Sequence, residues 1–276
     1  MKLRKTKISV SSTIILCLFA AIIMLPFYVM IVGSFKNNVS LISIPVDLNP
    51  FKGLTLDTLK LVLKKSDIFI WLKNSFIISF SVAILTGLIG VTAGYAFAKI
   101  KFRGKNLFFA LVMATMMMPK QVLLIPNFLV ANKLGLVDTL HGVILTSIAP
   151  AFGVFLSRQF ISSLPGELFD AAEIDGCGEI RKFVRIAFPL SLPSFVTVAI
   201  FSFFSAFNDY LWQLIMISKK SLKTLPIGIS LFAQTQLYNK AGQLGIAFLA
   251  AIPLVALFVF FQRFFIKGAT VGAVKG

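Results

Sequence analysis

Residues 170–189 read DAAEIDGCGEIRKFVRIAFP, and this stretch differs in character from the rest of the chain. The sequence has ten carboxylates in 276 residues, and five of them lie within the thirteen positions from 167 to 179. These five are Glu167, Asp170, Glu173, Asp175 and Glu179. A chain that is 58% hydrophobic and carries a net charge of +17 thus places half of its acid in one short segment.

The composition of the whole chain indicates an integral membrane protein. Its mean hydropathy is +0.92, and it contains apolar runs of about 18 residues or more, the length that crosses a hydrocarbon layer of ~30 Å. Lipid cannot satisfy exposed backbone groups, so these runs are expected to be helices. The runs lie at about 13–35, 75–98, 107–131, 139–157, 190–217 and 244–265. We therefore predict an all-α protein with six transmembrane helices in a single domain, residues 1–276.

The basic residues give an orientation for these spans. The first run follows four basic residues, as in a secretory signal peptide, but a signal peptide has an apolar core of only about 7–15 residues. This run is longer and continues through Pro26, which favours a retained span. The short segment 99–105 carries four basic residues, and short basic loops tend to lie in the cytoplasm. Both termini and segment 158–188 are therefore expected to be cytoplasmic.

Two other functional classes fit the sequence poorly. A net charge of +17 would suit nucleic acid, but the basic residues lie between apolar runs, where anionic lipid explains them better. An enzyme would need a catalytic or metal-binding set, and His141 is the single histidine. The segment 103–106 lacks the first glycine and the hydroxyl residue of a phosphate-binding loop. We expect no metal, no cofactor and no ATP hydrolysis in this chain.

The acidic segment itself is predicted to be a helix, a glycine break and a second helix. Pro165 suits a first helical turn, and Gly176 and Gly178 supply a stop signal. Four residues share one face of the first helix at helical spacing, namely Leu168, Ala171, Ala172 and Asp175. The segment could insert this small face into a groove on a cytosolic protein. The alternative is an interfacial loop on lipid, which the acidic residues disfavour because anionic headgroups repel them.

At this point the chain resembles a known family, the membrane subunits of ATP-binding-cassette (ABC) importers, whose cytoplasmic "EAA" loop the acidic segment matches. The matching residues are Asp170, Ala171, Ala172, Asp175, Gly176, Ile186 and Pro189, with Asp170 where the family usually has Glu. Further residues are similar to the carbohydrate branch, and in particular to the second membrane subunit of maltose-type systems. These are Pro119, Pro126, Asn208, the run 223–226 and the tail 268–276, with Phe207 where many relatives have Trp.

The resemblance implies a type I importer (MetI-like) permease fold and a set of partners. The permease would pair with a second, non-identical permease subunit in a bacterial cytoplasmic membrane. Two cytosolic ATPase subunits, which bind ATP and Mg²⁺, would dock on the coupling loop 165–188. The residues implied in this docking are Glu167, Asp170, Ala171, Ala172, Glu173, Asp175, Gly176, Ile186 and Pro189. An external sugar-binding protein would deliver substrate to the outer segment 218–243, with Gln234, Gln236, Tyr238 and Asn239 as candidate contacts.

The substrate pathway is predicted from polar residues inside apolar runs. Sugar recognition needs hydrogen bonds and an aromatic face, which Asn208, Asp209, Tyr210 and Trp212 could provide. Asp209 could equally be a solvated residue near the outer interface. Lys120, next to the helix-kinking Pro119, is either a pore-lining residue or a side chain that snorkels to the interface.

The rival hypothesis is a secondary transporter or channel driven by an ion gradient. Ion coupling needs several buried ionisable residues, and the spans offer only Asp209 and Lys120. The rival also leaves the acidic segment unexplained. The sequence therefore favours a permease subunit of a sugar-importing ABC transporter. A smaller prediction concerns packing, since Gly90 and Gly94 in the second span have the spacing of closely packed membrane helices.

Overall fold

The structure of the protein is a computed structural model that describes residues 10–38, 41, 47–237 and 239–271, with side chains omitted at 10, 12 and 263–271. Within these residues every regular element is helical. The first helices are α1 Val10–Ser34, α2 Asp57–Lys65, α3 Ile68–Lys99, α4 Lys105–Met116, α5 Leu124–Lys133 and α6 Leu140–Ser147. They are followed by α7 Pro150–Ser162, α8 Glu167–Ile174, α9 Glu179–Leu190, α10 Leu192–Phe207, α11 Leu211–Met216, α12 Leu225–Thr235 and α13 Lys240–Val271.

Three segments are long and apolar enough to cross a membrane without a break. They are Thr13–Ser34 in α1, the whole of α3, and Lys240–Gln262 in α13. They correspond to the predicted spans 13–35, 75–98 and 244–265, although α3 begins at Ile68, seven residues earlier than predicted.

The other three predicted spans are broken rather than continuous. Helices α4 and α5, with the 3₁₀ turn Lys120–Leu123 between them, meet at 93°, and α6 and α7 meet at 46°. The predicted run 190–217 is divided into α10 and α11, and α10 meets α9 of the acidic segment at 71°. If each bent pair crosses once, the described chain has up to six spans. Proline explains two of the breaks, because Pro119 precedes the 3₁₀ turn in an extended conformation and Pro150 begins α7. The predicted run 190–217 also ends early, since α10 stops at Phe207.

The chain divides into two compact units. One comprises Met1–Asp67 and Ile229–Val255, and the other comprises Ile68–Gly228 and Ala256–Gly276. The second unit contains the acidic segment.

Helix α3 is the centre of the second unit and packs closely against α7 and α10. A Cβ atom on Gly90 would lie 2.9 Å from the backbone carbon of Gly153, and one on Gly94 would lie 2.6 Å from the Ser157 side chain. Ser157 in turn shares a buried 3.0 Å hydrogen bond with Ser194 of α10. The predicted close packing at Gly90 and Gly94 is thereby confirmed, and it places α7 and α10 directly beside α3.

The first unit is organised around a buried lysine in a segment between helices. The Lys36 ammonium is fully buried and donates to Asp47 Oδ2 at 3.0 Å and to the Lys52 carbonyl at 2.6 Å. The Lys36 carbonyl accepts a 2.6 Å hydrogen bond from Thr58 at the start of α2. Hydrogen bonds from the Asn49 amide and then from Lys36 lower the pKa of Asp47. Lys36 thus holds Asp47, Lys52 and the start of α2 close to the end of α1.

Candidate functional site

The acidic segment folds as a helix, a glycine turn and a second helix, as predicted. Helix α8 ends at Ile174, Gly176 adopts a φ of +72°, and α9 begins at Glu179. No atom lies within 4 Å of the position that a Gly176 Cβ would occupy, so space does not require glycine there. The positive φ does, because a side chain makes this conformation costly.

One side of α8 is anchored on the protein itself. Phe169 is buried in an apolar cluster with Val91 and Tyr95 of α3, Ile161 of α7 and Ala187 of α9. Ala172 on the same helix is also buried. The Tyr95 and Phe169 rings lie 6.2 Å apart. The acidic segment is thus attached to the end of α3 by an apolar contact as well as by the chain.

A lysine at the end of α3 reinforces this attachment. The Lys99 ammonium lies 4.7 Å from the centroid of the Phe169 ring and donates a 2.9 Å hydrogen bond to the Leu164 carbonyl. It therefore fixes both the start of the acidic segment and the aromatic anchor of α8.

The structure separates the four residues that were predicted to share one small face. Leu168, Ala171 and Asp175 are exposed, whereas Ala172 is 7% exposed and packs inward. Of the other residues implied in docking, Glu167, Asp170, Glu173, Gly176 and Pro189 are exposed and Ile186 is half-buried. Ala172 therefore serves to seat α8 against its own protein, and a surface for a partner must be sought among the other residues.

A polar network ties the two helices of the acidic segment to α3. The Lys182 ammonium, on a side chain that is 6% exposed, lies 2.8 Å from Glu173 Oε2 on α8 and 3.0 Å from Glu179 Oε1 on α9. The Tyr95 hydroxyl of α3 donates to Glu179 Oε2 at 2.8 Å. Lys182 thus bridges the carboxylates of Glu173 and Glu179, and Glu179 also contacts Tyr95 of α3.

The network shifts the ionisation of its members in the directions that its hydrogen bonds require. The hydrogen bond from Tyr95, followed by the one from Lys182, lowers the pKa of Glu179. Hydrogen bonds to Glu173 and then Glu179 raise the pKa of Lys182 above its usual value. Glu179 and Lys182 are therefore both ionised at neutral pH.

Sequence reasoning missed Tyr95 and Lys182. Lys182 follows Glu179 by three residues, a spacing that favours an ion pair on a helix and was a usable signal. Tyr95 gave no such signal, because it lies 84 residues from Glu179 in the sequence.

The outward side of the segment is apolar and basic. Ile174 is 88% exposed, Ile180 81% and Val184 57%. These apolar side chains are exposed although they lie outside the predicted membrane spans. Ile180 and Val184 line an open depression of about 720 Å³, together with Gly176, Gly178, Glu179, Arg181 and Arg185. Isoleucines exposed to this degree beside a concave surface are typical of protein contact sites.

The predicted pathway residues lie at the break between α10 and α11. The Asn208 side-chain amide donates to the Phe204 carbonyl at 2.9 Å. Asp209 Oδ1 accepts a 3.2 Å hydrogen bond from the Trp212 backbone N–H in the first turn of α11. Trp212 is buried, and its indole N–H donates to Thr146 Oγ1 of α6 at 2.9 Å. Asn208, Asp209 and Trp212 thus each have a hydrogen-bond partner within the protein. Asn208 is exposed, and Tyr210 is half-buried.

Lys120, the other predicted pathway residue, lies in a different part of the chain, between α4 and α5. It is exposed and begins the 3₁₀ turn at the 93° bend between α4 and α5. The structure gives no side-chain hydrogen bond that joins it to the residues at the α10–α11 break.

The predicted outer segment 218–243 is largely helical rather than a loop, because it contains α12. Gln234 is exposed, the Gln236 carbonyl accepts from the Gln243 side chain at 3.0 Å, and Asn239 Oδ1 accepts from the Gly242 amide at 2.9 Å and caps α13. Tyr238 lies outside the described residues.

The start of α12 is held by two residues that the sequence interpretation overlooked. The Asn74 side chain of α3 donates to the Ser221 and Lys223 carbonyls, each at 2.9 Å. Ser75 Oγ accepts a 2.8 Å hydrogen bond from the Leu225 amide. An asparagine inside an apolar span is costly without partners, and Asn74 was therefore a signal for this contact.

Comparison with known proteins agrees with this architecture. Residues 87–270 match the family described as binding-protein-dependent transport system inner membrane component. The chain is 37% identical to an arabinooligosaccharides transport system permease protein of Halalkalibacterium halodurans, over 96% of this chain and 95% of that one. It is 31% identical to an sn-glycerol-3-phosphate transport system permease protein of Yersinia enterocolitica, over 92% and 93% of the two chains.

A solved structure shows the same fold. A chain of a bacterial ABC transporter involved in the import of the acidic polysaccharide alginate superposes with a TM-score of 0.82 at 21% identity, covering 93% of this chain and 95% of that one. The family match covers most of the chain, and the acidic loop between α7 and α10 lies inside the matched range. The chain belongs to the family of binding-protein-dependent transport system inner membrane components.

Proposed function

We propose that this chain is a permease subunit of a bacterial ABC importer for a sugar or oligosaccharide. The family supports the transport role, and the names of the relatives support the substrate class, since they include permeases for arabinooligosaccharides and for sn-glycerol-3-phosphate. Arabinooligosaccharides are therefore the first substrates to test. A second, non-identical permease subunit completes the translocation pathway.

Two cytosolic ATPase subunits are the proposed source of energy, one of which docks on the coupling loop 165–188. The observation that carries this proposal is the division of the loop into two sides. Phe169, Ala172 and Lys182 fix the inward side to the protein, whereas Ile174 and Ile180 are more than 80% exposed on the outward side. A rigidly held knob with exposed apolar side chains suits insertion into a groove of a partner.

The attachment to α3 gives the docked ATPase a means of moving the membrane helices. Closure of an ATPase pair on ATP and Mg²⁺ displaces the loop, and the contacts at Phe169 and Glu179 transmit that displacement to α3. Helices α7 and α10 move with α3, because they pack closely against it at its glycine residues. Rigid movement of packed helices is the usual basis of alternating access.

The remaining assignments complete the proposal. The break between α10 and α11 contributes Asn208 and Tyr210 to the sugar pathway. Asp209 and Trp212 support these residues through their own hydrogen bonds. Lys120 is a further candidate for the pathway. An external sugar-binding protein contacts Gln234, Gln236, Tyr238 and Asn239, and both termini lie in the cytoplasm.

The docking proposal is tested by Ile180→Asp in the chain co-expressed with its ATPase and second permease subunit. A charge at the centre of an apolar contact leaves a carboxylate desolvated, so the ATPase retained on affinity purification should fall by about tenfold or more. Phe51→Asp is the matched control, because Phe51 is 91% exposed and lies outside the coupling loop. Full retention of the ATPase by Ile180→Asp would contradict the docking site.

A further inference from the structure

A group of basic residues near the acidic loop has a different arrangement from the network around Lys182. We define it as the basic corner: Lys101, Arg103, Lys105 and Arg158. It joins the ends of three helices, since Lys105 begins α4, Arg158 lies in α7, and the other two follow α3. The sequence contains no carboxylate between Asp67 and Asp138 or between Asp138 and Glu167, so the corner has no acidic residue nearby in the chain.

Arg158 is fixed in place, yet its hydrogen-bonding capacity is unused. Its guanidinium lies 3.8 Å from the centroid of the Phe109 ring, and that ring packs against Phe97 at 5.4 Å. Among the side chains that the structure describes, none accepts a hydrogen bond from Arg158 or forms an ion pair with it. Arg158 is half-buried, and its five guanidinium donors remain available to an anionic acceptor.

Lys105 brings a second positive charge to the same place. Its ammonium donates to the Ile100 carbonyl at 3.0 Å and to the Ala98 carbonyl at 3.4 Å, which holds it over the end of α3. Arg158 stacks on Phe109, which follows Lys105 by one turn of α4, so the two cations lie at neighbouring positions and repel each other. Two fixed cations that repel each other are both stabilised by one anion between them.

The surface next to this corner is apolar. Leu107, Phe108 and Leu111 on α4 are 65%, 52% and 56% exposed, and α4 enters the predicted third span directly after Lys105. A ligand that meets the cations with a phosphate and the exposed α4 face with hydrocarbon has the chemistry of a phospholipid.

We propose that the basic corner binds the headgroup of an anionic phospholipid, with the phosphodiester between Arg158 and Lys105 and an acyl chain along Leu107 and Leu111. Lys101 and Arg103, which are exposed, strengthen the attraction from the water side. The site differs from the general basic character of membrane-edge loops because Arg158 is held by an aromatic ring and has no partner within the described part of the protein. The coupling loop next to it is attached through Lys99 and Lys182 without use of these cations.

The test is lipid retention by the full chain purified with its partner subunits. Mixed micelles contain equal amounts of phosphatidylglycerol and phosphatidylcholine with identical acyl chains, and native mass spectrometry measures the two bound lipids. Each basic residue at a membrane surface raises affinity for anionic lipid by a factor of about five. Arg158→Gln combined with Lys105→Gln should therefore lower the preference for phosphatidylglycerol on the order of 25-fold.

Two further variants serve as controls. Lys60→Gln with Lys64→Gln removes the same charge from the exposed face of α2 and should leave the preference unchanged. Lys101→Gln with Arg103→Gln alters only exposed side chains, so it should reduce the preference without affecting packing, even where the Arg158 variant folds poorly.

Three results would overturn the proposal: no preference for phosphatidylglycerol in the wild-type chain, an unchanged preference in both corner variants, or an equal loss in the α2 variant. Inorganic phosphate separates a lipid from a free anion. If phosphate abolishes the preference at an ionic strength where chloride does not, the corner is a site for free phosphate and the lipid assignment is wrong.

Discussion

At the scale of single residues, the hydroxyl of Tyr95 links the coupling loop directly to the membrane helix α3. It forms one hydrogen bond, to Glu179, while the ring packs separately against Phe169 and Phe183. The bond and the packing can therefore be separated by a single substitution that removes only one oxygen atom.

Tyr95→Phe should lower the free energy of unfolding of the loop by about 1 kcal/mol, because a hydrogen bond to a charged group is lost and Glu179 is half-exposed. Hydrogen exchange of the amides in 167–182 measures this change. Tyr28→Phe removes a tyrosine hydroxyl that donates to the Leu48 carbonyl at the same 2.8 Å and provides the control. Unchanged exchange in Tyr95→Phe would show that the hydroxyl does not hold the loop.

The ionisation of Glu179 gives a pH dependence with a definite sign. Its folded pKa is lowered, so its contribution to loop stability is complete above the ordinary Glu pKa of about 4.3 and is lost as the pH falls through the lowered value. The pKa of Lys182 is raised, so its contribution is complete below about 10.4 and is lost only as the pH rises through the raised value.

Protection of the loop from proteolysis should therefore be constant from about pH 5 to pH 10 and fall on the acid side. Glu179→Gln should make protection of the loop from proteolysis less dependent on pH on the acid side. It should also weaken that protection at neutral pH. A profile of Glu179→Gln identical to that of the wild type would assign the acid sensitivity to other carboxylates of the loop.

At the scale of helices, the contact between α3 and α7 depends on the absence of side chains. Gly90 faces the backbone of Gly153 at a distance that leaves no room for a methyl group. Overpacking of a tight helix contact costs about 1–3 kcal/mol. In the proposed mechanism, movement of α3 reaches α7 through this contact.

Gly90→Ala should thus lower the thermal unfolding temperature of the purified chain and its yield of monodisperse protein. Gly178→Ala is the matched control, because its added Cβ meets no atom within 4 Å and Gly178 has a negative φ. Equal stability of the two variants would mean that α3 and α7 can separate without cost.

The elements also show how far the sequence alone could lead. Apolar run length identified the spans, and Pro165 with Gly176 predicted the helical hairpin, because these signals are local. Run length could not reveal the bends, since the sequence is apolar on both sides of Pro150. It also could not show which side of α8 is buried. That depends on Tyr95 and Ile161, which reach the loop only through the tertiary fold.

At the scale of the whole molecule, the proposal requires force to pass from an ATPase to the sugar pathway through this chain. Phe169→Ala removes the aromatic anchor of α8 but leaves the outward surface at Ile174 and Ile180 intact. We expect the ATPase to be retained on purification while ATP-driven sugar uptake per ATP hydrolysed falls severalfold, about two- to tenfold.

Proteoliposomes that contain the complete transporter and its binding protein allow both quantities to be measured. Phe51→Ala, an aromatic truncation at a highly exposed position, should change neither. Loss of the ATPase together with transport in Phe169→Ala would indicate that Phe169 supports docking itself rather than transmission.

The two-sided construction of the coupling loop has a consequence for protein engineering. The residues that hold the loop in place and those that face outward occupy different positions of α8 and α9, so either set can be exchanged while the other is kept. Grafting the outward residues of a different permease onto this backbone should transfer recognition of that permease's motor subunit without rebuilding the membrane domain. The outward residues of the loop can thus be exchanged as a set, while its contacts with the membrane helices stay the same.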